Sequence, residues 1–451
     1  MTDPVTPLEK TLIVGLGKTG LSCARYLSQL GVPLAVTDSR EHPPGLDKLQ
    51  QLYPDLAIFP GGFTPEVFEA ASQLVVSPGV PLSEPLIQTA KERGVEVIGD
   101  IELFARAVNA PVVAITGSNG KSTVTTLLGE MARMAGLNVG VGGNLGEPAL
   151  DLLDESLELY VLELSSFQLE STHSLKPTAA TVLNLSADHM DRYLDIDEYA
   201  AVKSTIYTNA GTAVINRDDP MVKSMGGMAA ERVGFTLSKP SDRDFGLVNS
   251  GGELWLAQGD EPLLAASELR IKGRHNLANA LAALALGSAV NLPRPVMLQT
   301  LRNFSGLPHR TQWIAMKCGL EWYNDSKGTN VGATIAALRG FHSEMEESRT
   351  VLIAGGDCKD ADFSELSAVV QETARAVILI GRDAPLLEEV LQGHTALVHA
   401  ASLEEAVSKA SELGRPGDRV LLSPACASFD MFSGFEQRGE AFVRAVEALS
   451  E

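Results

Sequence analysis

The segment Ile115-Thr116-Gly117-Ser118-Asn119-Gly120-Lys121-Ser122-Thr123 gathers two glycines, a lysine and several hydroxyls into one short loop. It follows the apolar run Val112–Ile115 and opens an amphipathic stretch at Lys121. Gly117 and Gly120 open the backbone toward a phosphate, Lys121 can bridge β- and γ-phosphates, and the Ser122 or Thr123 hydroxyl can meet Mg²⁺. The standard phosphate-loop pattern has glycine where this chain has Ile115, so the match is partial, and the plainer alternative is a glycine-rich loop with an incidental lysine. A second loop, Gly15-Leu16-Gly17-Lys18-Thr19-Gly20, also lies between an apolar run and a helical pattern, and Asp38 closes the next apolar run. That spacing is compatible with NAD, with another nucleotide-like diphosphate, or with a tight turn alone. In the first two cases backbone N–H groups at a helix N-terminus meet the pyrophosphate.

Two more groups belong to the same inventory. Glu163 lies near the end of the run Tyr160–Leu164, which precedes Ser165-Ser166-Phe167-Gln168, where a carboxylate serves either as a Mg²⁺ ligand or as a cap of the following segment. His189, in Asn184-Leu185-Ser186-Ala187-Asp188-His189, follows the run Thr181–Leu183. A lone histidine is more often structural. This one is expected on the same sheet edge as Lys121 and Glu163, because all three follow strands of one alternating series.

The elements that must position these groups are legible as alternation. Strand-like runs at Thr11–Val14, Leu34–Thr37, Leu74–Val76, Val112–Ile115, Tyr160–Leu164, Thr181–Leu183, Ala213–Ile215, Val351–Ile353, Val377–Ile380 and Val420–Leu422 are separated by helix-like patterns such as Thr19–Leu30, Lys121–Ala135, Asn276–Ala289 and Leu403–Leu413. This rhythm predicts an α/β fold with parallel sheets covered by helices on both faces. At about 100–200 residues per domain, 451 residues make about three domains. They are placed at residues 1–108, 109–305 and 306–451.

Composition excludes other classes. The 57 Asp and Glu outnumber the 36 Lys and Arg, giving a net charge of −21 that repels nucleic acid and anionic membrane. The apolar runs fall far short of the ~20 residues of a membrane span, and Met1-Thr2-Asp3-Pro4, with neither a basic nor an apolar stretch, gives the expectation of no secretory leader. Cys23, Cys318, Cys358 and Cys426 show no metal or disulfide spacing, which fits a reducing cytoplasm. The expectation is a cytoplasmic monomer acting on small molecules, with neither nucleic acid nor membrane as a partner.

Ile115–Thr123, Glu163–Gln168 and Asn184–His189 together resemble the central domain of the Mur ligases, ATP-dependent amide-forming enzymes of peptidoglycan synthesis. The likeness continues through Gly273-Arg274-His275-Asn276-Leu277-Ala278-Asn279-Ala280, Leu307-Pro308-His309-Arg310 and Asn324-Asp325-Ser326-Lys327-Gly328-Thr329-Asn330. Gly355–Lys359, Leu422–Asp430 and Phe435–Gly439 resemble the D-glutamate-adding branch. Lys18 departs from that pattern, where a smaller or apolar residue is expected.

The resemblance implies a Rossmann-like N-terminal domain, a P-loop-type central ATPase domain and a Rossmann-like C-terminal domain. It implies ATP and Mg²⁺, with UDP-N-acetylmuramoyl-L-alanine and D-glutamate as substrates joined through an acyl phosphate. It assigns the first glycine loop to a UDP-sugar, with Gly17, Lys18, Thr19, Asp38, Ser39, Arg40, Ser77 and Gly79 in contact and Asn144 at the reacting end. It assigns Gly117 to Thr123, Asn276, Asn279, Arg310 and Asp325 to ATP. Thr329, Lys359, Ser428 and Phe435 become the D-glutamate pocket. Lys121, Glu163, His189 and Lys203 carry the chemistry. Ser122, Glu163 and His189 hold metal, joined by Lys203 if it is carbamylated; by its residue type alone Lys203 is an ordinary helical lysine.

Overall fold

In the computed structural model, which describes residues 10–227, 229–342, 348–358 and 361–449, the apolar runs form three sheets. The first is wholly parallel and runs, edge to edge, Ala57–Pro60, Leu34–Asp38, Lys10–Val14, Ala71–Val76 and Glu96–Ile98. The second has nine strands, in the order Glu261–Ala265, Glu253–Gln258, Phe245–Ser250, Glu231–Phe235, Thr212–Asn216, Ala179–Val182, Val112–Thr116, Leu159–Glu163 and Val139–Gly143. The third runs Gln312–Lys317, Leu320–Asn324, Arg419–Leu422, Thr350–Gly355, Ala374–Ile380 and Ala396–His399. The α/β reading holds.

The expectation of purely parallel sheets is corrected at two edges. Phe245–Ser250, Glu253–Gln258 and Glu261–Ala265 form an antiparallel meander, and Gln312–Lys317 pairs antiparallel with Leu320–Asn324. Both have short connections: Gly251-Gly252 (φ 65° and 85°) and Cys318-Gly319 (φ 55° and 71°). Two consecutive left-handed residues are what a type I′ hairpin requires. A glycine pair is a readable hairpin signal, whereas Cys318 in that conformation is not.

The central strands are buried from end to end. Val112–Thr116 and Leu159–Glu163 expose no residue, as strands covered on both faces must. The helix Lys121–Met134 packs Val124, Leu127, Leu128 and Met131 onto this sheet beside the apolar face of the helix Arg274–Ala289.

The cores are not partitioned as the sheets are. One apolar cluster runs from Ile13, Leu16 and Val75 of the first sheet through Ile101 and Phe104 to Leu150, Tyr160 and Leu162 of the second. The helix Asp100–Ala107 is the wedge, with the Phe104 ring set edge-on to Tyr160 at 5.2 Å. The third sheet keeps separate clusters on its two faces. Among the described residues, no helix is long and apolar enough to cross a membrane.

Asp100, at the start of that wedge helix, is buried. Its Oδ2 accepts the Gln168 side-chain amide at 3.0 Å, while its Oδ1 has no partner. Burial pushes its pKa up to about 6 from an ordinary 3.8. A raised folded-state value stabilises the fold below the unfolded value, and that contribution is lost as pH rises through 6. Asp100→Asn should therefore raise the unfolding free energy at pH 8 by roughly 1–3 kcal/mol. The gain should fade below about pH 4, read by denaturant titration across pH.

Candidate active site

Four adjacent strands of the second sheet end side by side. The register pairs Gly143 with Glu163, Glu163 with Ile115, and Thr116 with Val182. The next residues of the chain therefore bring Asn144, the loop 117–120 and the segment 184–189 to one edge, with Glu163 among them. This is the convergence that alternation predicts, since parallel strands place all their C-terminal ends together.

The helix Lys121–Met134 starts on Gly120 in the left-handed conformation (φ 84°), and no side chain caps it. A β-carbon at Gly120 would fall 2.4 Å from Asn279 Oδ1. The helices Ile196–Ser204 and Leu403–Leu413, by contrast, are capped by Asp195 and Ser402. The first-turn N–H groups behind Gly120 are thus left for an anion.

Lys121 Nζ donates to the carbonyls of Gly117 at 2.7 Å and Ser118 at 2.9 Å. Lys203, buried on the helix Ile196–Ser204, donates to Thr116 Oγ1 at 3.1 Å and to the same Gly117 carbonyl at 3.2 Å. Its ammonium also lies 4.6 Å from the Tyr199 ring centre. Burial lowers both lysine pKa values, Lys203 well below the ordinary range, and Lys121 lowers Lys203 further by like-charge repulsion.

Glu163 uses both oxygens: Oε2 accepts the Ser122 hydroxyl at 2.5 Å and Oε1 accepts the Asn144 amide at 2.7 Å. The capping reading of Glu163 is corrected, because Ser165 and Gln168 form the capping box themselves. His189 sits left-handed (φ 59°), 4.8 Å from the Phe167 ring, with Nε2 3.8 Å from Asp188 Oδ2. Partial desolvation lowers its pKa, and the Asp188 carboxylate beside it acts in the opposite direction.

The third sheet reaches into this edge. Arg310, between left-handed His309 and Thr311, donates to Ser122 Oγ at 2.6 Å. A cleft of about 280 Å³ lies between the two sheets. Asn119, Gly120, Thr123, Asn276, Asn279, Arg310 and Asp325 line it, with Lys327 beside them. Asn276 and Asn279 touch at 3.1 Å on one helix face. Asp325 Oδ2 accepts the Ser423 hydroxyl at 2.7 Å, and burial raises the Asp325 pKa to about 6.

The first glycine loop forms a separate group at the C-terminal edge of its own sheet. Gly17 precedes the uncapped helix Lys18–Gln29, which carries Thr19, and Ser77 Oγ donates to the Gly15 carbonyl at 2.8 Å. A β-carbon at Gly20 would fall 2.0 Å from that carbonyl, so only glycine fits. Asp38 accepts the Leu16 N–H at 2.6 Å and the Arg40 guanidinium at 2.7 and 2.8 Å. Although burial pushes the Asp38 carboxyl up, these bonds hold it below the ordinary range. Asp38 therefore ties its own loop together, leaving exposed Ser39 and Gly79 at the rim. Lys18 bonds to the Gly146 carbonyl, two residues beyond Asn144.

Three strand ends of the third sheet assemble the remaining group. The segments 355–357 and 424–428 are bonded to each other through Asp357 and Ala427, and Ala425 N–H donates to the Gly328 carbonyl at 2.9 Å beside Thr329. Ser428 is buried there, and Phe435 opens the last long helix, Phe435–Glu447. Lys359 lies outside the described residues.

Two residues were missed by the sequence reading. Lys327 Nζ stands 4.0 Å over the Phe435 ring, facing both groups. Arg438, fully buried, donates to Ser326 O at 2.8 Å and to the carbonyls of Cys426 and Ala427 at 3.2 and 3.3 Å. Both stand inside quoted motifs. A buried arginine in a chain this acidic is not signalled by spacing.

A glycine-rich loop opening a helix on one sheet edge, roofed by a third sheet that supplies an arginine, is the arrangement of an α/β phosphate-binding site. Family models for the Mur ligase MurD-like N-terminal domain, the Mur ligase middle domain and the Mur ligase glutamate ligase domain match residues 9–99, 115–287 and 309–426. The chain belongs to the Mur ligase family. It is 55% identical to a UDP-N-acetylmuramoylalanine–D-glutamate ligase of Nitrosococcus oceani, covering 100% of this chain and 99% of that one. It is 52% identical to the protein of the same name from Methylobacillus flagellatus, covering 98% of each. The fold is shared with UDP-N-acetylmuramate-alanine ligase of Thermotoga maritima, at 18% identity and a TM-score of 0.60, covering 97% of this chain and 99% of that one.

A buried ammonium beside a second cation is costly to the fold. Lys203→Met should raise the unfolding free energy at neutral pH in CO₂-free buffer by roughly 1–3 kcal/mol. Chemical denaturation of both proteins reads this directly.

Proposed function

We propose that this chain joins D-glutamate to the L-alanine carboxylate of UDP-N-acetylmuramoyl-L-alanine, using ATP, as a step of peptidoglycan precursor synthesis. The observation that carries the reading is the meeting of Lys121 and Lys203 on one carbonyl, beside Glu163 and under Arg310. Relatives bearing the D-glutamate ligase name, similar over the whole chain, support the choice of substrates.

The substrate carboxylate attacks the γ-phosphorus of ATP, a P–O bond forms, and ADP leaves with the electron pair of the broken bond. The D-glutamate amine then attacks the acyl carbon. Inorganic phosphate leaves with the C–O electron pair, and the amine loses a proton. The first step brings two anions together, so cationic groups must lie between them. Lys121 and Arg310, which both approach the loop 117–122, are the groups assigned that role. Holding the reactants in line contributes up to ~7–11 kcal/mol in favourable cases.

The oxygen donors Ser122 and Glu163 suit a hard cation, and Mg²⁺ is ordinarily held by one or two carboxylates together with nucleotide phosphates. When bound, Mg²⁺ supplies charge neutralisation at the phosphates. Among the described residues, no cluster of three or more His, Cys, Asp or Glu would hold a metal without the nucleotide. Asn276, Asn279 and Asp325 line the cleft that takes the nucleoside. Gly17, Thr19 and Ser77 frame the diphosphate site of the UDP-sugar, with Asn144 at its reacting end. Thr329, Lys359, Ser428 and Phe435 receive D-glutamate.

Lys203 is assigned a carbamate. Carbamate formation requires a neutral amine, and burial with the neighbouring Lys121 favours that form. The carbamate would turn a cation clash into an ion pair with Lys121.

Two measurements test the assignment. Phosphate release from ATP and Mg²⁺ should require both the sugar nucleotide and D-glutamate, with L-glutamate inactive and the product heavier by one glutamyl unit. Release without the sugar nucleotide, or equal release with L-glutamate, would refute it. Lys203→Ala should lose at least ~100-fold in kcat, and a small exogenous carboxylate should restore part of that loss. A folded, unrescued variant removes the carbamate.

A further inference from the structure

Asn330 lies between Thr329 and the helix Val331–Phe341, and its side chain is engaged at both ends. The amide oxygen accepts the Ala333 N–H at 2.8 Å and caps the helix. The amide nitrogen leaves the third sheet altogether, reaching Asp188 Oδ2 at 3.2 Å and Asn119 Oδ1 at 3.4 Å. Capping alone does not call for an amide, since serine and aspartate cap about as well. Only the second engagement uses the NH₂ group.

Both targets lead into the site. Asn119 is clamped to Asn184, its N–H donating to Asn184 Oδ1 at 2.8 Å and its carbonyl accepting Asn184 Nδ2 at 3.0 Å. Asp188 Oδ1 accepts the His189 N–H at 3.0 Å, and its Oδ2, the atom Asn330 touches, faces the His189 ring. The approach depends on Gly332, where a β-carbon would fall 2.7 Å from Ser186 Oγ. A single uncharged donor from the third sheet thus orients the carboxylate beside His189 while touching the phosphate loop.

We propose that Asn330 is a positioning residue, whose amide fixes Asp188, and through it His189, when the third sheet is seated on the second. The kinetic part of this inference rests on the ligase reading above; the conformational part does not.

Asn330→Ser and Asn330→Asp test it, because both keep a capping acceptor and neither keeps the amide NH₂ that reaches Asp188. Both should melt within a few degrees of the parent protein. In hydrogen-exchange mass spectrometry of the ligand-free full chain, segment 184–192 should exchange faster in both variants, with segment 331–341 unchanged. Under steady-state turnover, kcat should fall about tenfold in the serine variant and further in the aspartate variant, which sets a carboxylate against Asp188. The KM for the UDP-sugar should be unaltered. Unchanged exchange at 184–192 overturns the proposal, as does a kcat equal to the parent's in a turning-over enzyme. Faster exchange in both variants, with a parent protein inactive on these substrates, would uphold the positioning role and refute the ligase assignment instead.

Discussion

Two ammonium groups converge on the carbonyl oxygen of Gly117, and much of the surrounding structure answers that placement. A carbonyl dipole cannot neutralise two buried cations, so the site requires negative charge from elsewhere. Glu163 and Asp188 supply part of it, each arriving on or just after a neighbouring strand. The uncapped start of the helix Lys121–Met134 adds positive potential rather than relieving it. Before any ligand arrives, the pocket is therefore biased toward a polyanion, within a chain whose overall charge is strongly negative. Burial also weakens the lysines as cations, leaving Lys203 chemically available as an amine.

The second organising fact is the difference between the two seams. The first and second sheets share one apolar cluster through the wedge helix Asp100–Ala107. Separating them would expose Phe104, Leu150 and Tyr160, at a cost of roughly 1.5–3 kcal/mol for each large side chain. The third sheet meets the second through hydrogen bonds, Arg310 to Ser122, Asn330 to Asp188 and Thr311 to His275. Bonds of this kind exchange with water at small net cost. The left-handed residues His309 and Thr311 flank the arginine that crosses, so backbone turns and the crossing contact coincide. The first two sheets thus share a core, while the third, also touching through its helix Val331–Phe341 against Arg274–Ala289, keeps its own.

Most of the site was legible because parallel α/β folds put chemistry at strand ends. Lys121, Glu163 and His189 could be placed on one edge from alternation alone, and register brings them there. Asn276 and Asn279 came from the family resemblance, and their helical spacing put them on one face. The antiparallel edges were not anticipated, because a rhythm of apolar runs and helices carries no strand direction; the Gly251-Gly252 pair was the available signal. Roles set by tertiary contact were also hidden. Nothing in the spacing of Asp38 shows that the Leu16 N–H and Arg40 occupy its carboxylate. Nothing around Arg438 shows that its guanidinium stitches Ser326 to Cys426 and Ala427. Lys203 lies on a helix with no pronounced apolar face, so its burial follows from the loop it faces and not from its own segment.

The seam between the first two sheets is also pinned at its polar margin. Ser22 donates to Asp151 at 2.8 Å, Arg25 pairs with the same carboxylate, and Lys18 reaches Gly146. All three project from the helix behind the first glycine loop, and all three grip the stretch just after Asn144. The two ends of the proposed sugar-nucleotide track are thereby riveted to one frame. On the proposed function, such a frame would act as a calliper, admitting a molecule by the span between its diphosphate and its terminal carboxylate. On that reading, a precursor shorter or longer by one amino acid would bring its carboxylate to the wrong point relative to Lys121, and order of addition along a growing peptide would follow from length as well as from side-chain recognition.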